Sequence, residues 1–130
     1  MGSTFKTRWV KIRSKDAIAH LKSMKAFLHA GKFFEKDEKD EDIYIGKHLV
    51  VKHFTADGKD YYEIYALTRD SRKGVKGWDE IALVEHDPAK DTWRYTNKKP
   101  RSGTWYNKFA ILWGKEKDHL METYLSEVSQ

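Results

Sequence analysis

Cysteine is absent from this 130-residue chain, and proline occurs only twice. Without cysteine there are no disulfides and no thiolate metal ligands, so stability has to come from burial and hydrogen bonding alone. No apolar run approaches the roughly 18 residues that a membrane-crossing helix requires. The opening Met1-Gly2-Ser3-Thr4-Phe5 has no apolar h-region of the kind a signal peptide needs. A soluble, cytoplasmic protein is the expectation.

Catalytic signatures are missing as well. There is no Gly-x-x-x-x-Gly-Lys phosphate loop and no Gly-x-Ser-x-Gly elbow. Glu63-Ile64-Tyr65 and Glu85-His86-Asp87 both lack the Lys that an Asp/Glu-x-Lys metal nuclease places two residues after its second carboxylate. His53-Phe54-Thr55 has the His-x-Thr form that 2H phosphoesterases use in paired copies, and no second copy follows. His48 and His53, five apart on one predicted strand, point to opposite faces and cannot share a metal. No enzyme, metal or cofactor is expected.

Aromatics, by contrast, are plentiful: five Trp, seven Tyr and six Phe within a 39% hydrophobic composition supply a core. The 35% charged fraction therefore reads as a wet surface and not as disorder. The net charge of +5 is unevenly placed. Up to Phe34, the basic residues Lys6, Arg8, Lys11, Arg13, Lys15, Lys22, Lys25 and Lys32 face one acid, Asp16, whereas residues 35–42 are dominated by acids. Asymmetry of this kind points to a polyanionic partner for the basic part.

Pattern predicts one α+β domain over residues 1–130, with a mainly antiparallel sheet of about five strands and two helices packed on one face. Phe5 to Arg13 reads as a strand. Ser14 then caps a helix whose apolar positions Ala17, Ile18, Leu21, Met24 and Leu28 recur at three and four residues and which stops near Gly31. The acidic stretch 35–42 suits a solvated surface loop. Lys47 to Phe54 and Tyr61 to Thr68 flank Asp57-Gly58, the strongest local sign of a tight hairpin. Trp78 to His86 and Thr92 to Asn97 form a second hairpin around Pro88, and residues 70–77 are an exposed, mobile basic connection. A C-terminal helix follows from Leu120, Met121, Tyr124, Leu125 and Val128. Phe109 to Trp113 fits either a helix or a buried strand, with helix favoured.

Thr92 to Lys108 holds five cations, no acid and interleaved aromatics. Cations that neutralise phosphates beside rings that stack on unpaired bases are the ingredients of single-strand recognition. The phosphate-binding candidates are Arg94, Lys98, Lys99, Arg101 and Lys108, extended by Lys11, Arg13, Arg72 and Lys73. Trp93, Tyr95, Trp105 and Trp9 are the stacking candidates; the first three suit a core position better than a stacking one, and Trp9 suits both equally. If Val10 and Ile12 point inward, Trp9 and Lys11 share the outer face of the first strand. The leading expectation is thus a small, basic, non-enzymatic protein that binds RNA or single-stranded DNA. A protein-interaction or inhibitor module docking a charged partner through the same surface is the alternative. A metal-free phosphodiesterase or ribonuclease using His53 or His86 with a Lys stands third, because such sites leave no spacing signature.

Overall fold

A computed structural model describes residues 8–67, 77–96 and 105–128, with side chains to Thr123 in the last segment. Seven strands, β1 (Val10–Lys11), β2 (Glu35–Lys36), β3 (Asp42–Ile45), β4 (Leu49–Ala56), β5 (Lys59–Leu67), β6 (Trp78–Asp87) and β7 (Thr92–Thr96), form one antiparallel sheet in the order β1-β7-β6-β5-β4-β3-β2. Helices α1 (Lys15–Ala30) and α2 (Trp105–Val128) supply the second layer. From β2 to β7 the chain is a simple meander. Helix α1 carries it from β1 at one edge of the sheet to β2 at the other.

Seven strands replace the expected five because the two ends of the acidic stretch pair: residues 37–41 form a surface turn between β2 and β3, and β3 runs on through Ile45. Glu35 pairs with Ile43 and Lys36 with Asp42, and the Lys36 ammonium lies 2.7 Å from Asp42. The reversal between them is made by Asp37, whose Oδ1 accepts from the backbone N–H of Lys39 and of Glu41, each at 2.9 Å. Aspartate that caps its own turn in this way gives a polar segment a fixed shape with no apolar periodicity at all.

The other boundaries follow local chemistry. Ser14 accepts from the Ala17 N–H at 3.2 Å and starts α1. At the other end the left-handed residue is Lys32 (φ 55°), while Gly31 is right-handed and makes room for the Phe33 ring. Asp57 (φ 54°) and Gly58 (φ 75°) form a two-residue turn with both central residues at positive φ, which matches the twist of β4 and β5. Phe109 to Trp113 is helical, and α2 passes on through Gly114 because Trp105, Phe109, Trp113 and Leu120 form a continuous buried stripe. A Cβ at Gly114 would meet nothing within 4 Å, so Gly114→Ala should raise stability by about 1 kcal/mol in equilibrium denaturation.

Alternation sorts each strand into two faces. One face carries Tyr44, Leu49, Val51, Tyr62, Ile64, Val84, Trp93 and Tyr95 and packs with Leu21, Met24 and Leu28 of α1 and the α2 stripe into a single core. The Trp113 indole N–H donates to Ser23 Oγ at 3.2 Å and ties the two helices together. Glu116 of α2 is fully buried beside this core. It accepts from the Tyr44 hydroxyl at 2.6 Å and from the backbone N–H of His48 at 2.7 Å and Leu49 at 3.3 Å. Burial and this bond push the Tyr44 phenol up, so it remains a donor. Gly46 sits against the carboxylate so closely that a Cβ there would lie 2.4 Å from Glu116 Oε1.

Candidate nucleic-acid interface

The open end of the core face is closed by a polar seam that clamps α1 to the sheet. Lys36 meets Asp42, whose second oxygen lies 2.9 Å from His53 Nδ1; His53 Nε2 lies 2.8 Å from Asp60. Asp60 accepts from Lys25 at 3.0 Å, and Lys25 also donates to His86 Nδ1 at 2.9 Å. His86 Nε2 then donates to Asp91 at 2.8 Å, and Asp91 meets Lys22 at 2.9 Å. Carboxylates only accept, so His53 makes both of its bonds only when its ring carries both protons. Lysine only donates, so His86 holds its proton on Nε2. Burial and the neighbouring His53 lower the His29 pKa, which leaves its Nε2 to accept from the Tyr62 hydroxyl at 3.0 Å.

Burial alone would raise Asp60, but hydrogen bonds from His53 and Lys25 outweigh it; at Asp42 burial is likewise outweighed by Lys36 and His53. Both carboxyls are held below their ordinary 3.8. A depressed folded value means that their contribution is complete above the ordinary value and is lost as pH falls through the folded one. Denaturation curves of the protein and of Asp60→Asn should therefore differ most near neutral pH and converge below about pH 4. A gap that stays constant on acidification would contradict this assignment.

The opposite face of the sheet presents a different surface. Lys11, Arg94, Glu85, Tyr61 and Phe54 form one row across five strands by register. Phe54 and Tyr61 stack with centroids 5.1 Å apart, and Trp9 leans on Tyr61 at 6.0 Å. The Arg94 guanidinium lies over the Trp9 ring at 5.4 Å while its Nε and Nη2 donate to the two oxygens of Glu85 at 2.7 and 2.8 Å. Glu85 also accepts from the Tyr61 hydroxyl at 2.9 Å. Those bonds, Arg94 foremost, outweigh burial and lower the Glu85 pKa, so this carboxylate stays ionised and charge-paired with Arg94. A shallow cleft of about 300 Å³ opens beside the row, lined by Lys11, Lys59, Lys90, Thr92 and Asp87 together with the Arg94–Glu85 pair. Further along the same face, Tyr65 meets Trp78 at 5.8 Å and Lys52 lies over Trp78.

The sequence candidates divide sharply on this map. Trp9 is half-buried on the ringed face, and Lys11 and Arg94 stand directly opposite each other across β1 and β7 in the cleft. Trp93, Tyr95 and Trp105 belong to the core at 1%, 5% and 6% exposure, and no ring face remains for a base. Arg94 takes the other side of β7 from Trp93 and Tyr95 by simple alternation. Arg13 is exposed just beyond β1. Lys108 is exposed on α2, 3.7 Å from Asp79 and on the helical side of the sheet, away from the cleft. Arg72, Lys73, Lys98, Lys99, Arg101 and the connection 70–76 lie outside the described residues.

Phe54, Tyr61, Lys59 and Lys90 were missed by sequence reasoning. The first three were recoverable: a two-residue turn at Asp57-Gly58 fixes Phe54 opposite Tyr61, and alternation puts Lys59 on the same side as Tyr61. Among the described residues, no group of three or more His, Asp or Glu is arranged to hold a metal ion, and no helix is long and apolar enough to cross a membrane. No protein-family model, curated protein or solved structure matches the chain.

Proposed function

We propose that the protein is a non-enzymatic binder of RNA or single-stranded DNA that engages its ligand on the sheet face opposite the helices. The observation that carries this reading is the adjacency of Trp9, Tyr61 and Phe54 to a cleft lined by four cations, on a pleated surface wide enough to seat a chain. Rings of this kind stack on bases of any sequence, and the flanking lysines neutralise the backbone. Lys11, Lys59 and Lys90 are the phosphate contacts; Arg94, already spent on Glu85, holds Trp9 in place. A role without catalysis is supported by the engagement of both ring nitrogens of His53 and His86 in the buried seam, where neither presents a lone pair to a substrate.

Binding of a short labelled oligonucleotide, followed by fluorescence anisotropy, tests the reading. Three phosphate contacts on a single strand predict an affinity loss of about an order of magnitude between roughly 50 and 200 mM salt. Absence of binding at the lower salt overturns it.

A further inference from the structure

The cleft carries more charge than a passing phosphodiester needs. Four cations line it, Lys11, Lys59, Lys90 and Arg94, against two carboxylates, Glu85 and Asp87. Glu85 is consumed by Arg94 and Tyr61, and Asp87 Oδ1 accepts from the Ala89 N–H at 3.0 Å to hold the β6–β7 turn. Lys11, Lys59 and Lys90 make no ion pair among the described residues. The balance of the lining is two positive charges. An internal phosphodiester offers one negative charge, whereas a phosphomonoester offers nearly two at neutral pH and three acceptor oxygens. The Thr92 hydroxyl adds a neutral donor at the same wall.

Position agrees with charge. The cleft lies between the row formed by Lys11, Arg94, Glu85, Tyr61 and Phe54 and the end of the sheet where the β4–β5 and β6–β7 hairpins turn. On the other side, toward Trp78, the same face carries two carboxylates, Glu63 and Glu80, against the one cation Lys52, so its balance is negative and favours a backbone less than the cleft does. A strand whose last base stacks against Trp9 or Tyr61 therefore places its end in the cleft. We infer that this cleft captures the terminal phosphomonoester of a single-stranded oligonucleotide. The inference rests on the single-strand reading above and adds end recognition to it.

Three versions of one short oligonucleotide distinguish the possibilities: a 5′-phosphate, a 3′-phosphate, or hydroxyls at both ends. One phosphorylated form should bind about tenfold more tightly than the hydroxyl form, the gain expected of a charge-assisted contact, and which form it is identifies the end. That ratio should fall toward one below about pH 6, where the monoester loses its second charge, and in the Lys59→Gln/Lys90→Gln double variant. Equal affinity for all three overturns end capture while leaving single-strand binding intact. No affinity for any of them at low salt removes the single-strand reading itself, and end capture with it.

Discussion

Glu116→Ala is expected to cost about 3–5 kcal/mol of folding stability, because it orphans three donors at once beside the core and leaves a cavity where a fully buried side chain stood. The Tyr44 hydroxyl and the N–H groups of His48 and Leu49 have this one carboxylate as their shared acceptor. Against a net stability of about 5–15 kcal/mol for a domain of this size, a loss of that order shifts the urea midpoint far enough to read directly. Glu116→Gln should cost much less, since its carbonyl oxygen still accepts from the backbone and its amide can donate to the Tyr44 oxygen in a reversed bond. If Ala and Gln are equally damaging, the charge and not the hydrogen-bond count is what matters. Gly46→Ala attacks the same clamp from the other side, so its cost and that of Glu116→Ala should not add.

The second large effect separates two tryptophans that look alike in sequence. Trp93 is 1% exposed and stacks on His86 with centroids 4.1 Å apart; Trp93→Ala should lose about 3–5 kcal/mol of stability and leave the oligonucleotide affinity of the folded protein unchanged. Trp9→Ala should do the reverse, weakening binding by about tenfold or more, the worth of one stacked base, with little change in stability. Denaturation and anisotropy on both variants decide it, with Trp93→Phe as the substitute should Trp93→Ala not fold. Lost affinity in folded Trp93 variants, or unchanged affinity in Trp9→Ala, would move the interface elsewhere.

These contrasts also mark what the sequence could and could not disclose. Ser14, the stripe from Ala17 to Leu28 and Asp57-Gly58 act through neighbours within four residues, and their signals are local; the helix and first hairpin were legible for that reason. The β2–β3 pairing was not, because its turn is held by an aspartate side chain and its short ladder is reinforced by one lysine–aspartate pair, neither of which produces a hydrophobic period. The acid-free stretch from Thr92 to Lys108 was misleading in a related way. Contiguity in sequence is not contiguity in space: β7 sends Trp93 and Tyr95 under the helices and Arg94 to the other side, while Lys108 rides on α2. The residues that do meet, Trp9 and Lys11 with Phe54, Tyr61 and Arg94, come from four separate strands or their flanks. The outer face of the first strand was the better guide, since Ile12 inward leaves Trp9 and Lys11 outward.

The antiparallel pairing of Val10 with Tyr95 and Lys11 with Arg94 has a kinetic meaning. The meander from β2 to β7 grows by adding neighbours in chain order, each closing a short loop, whereas β1 must bridge almost the whole sheet to find its partner. Long closures of this kind are paid in chain entropy before any contact rewards them, which places them late in assembly. Trp9 and Lys11 come with that strand, and so does Ile12 of the core. On this ordering the ringed face and that corner of the core are completed together, when β1 docks.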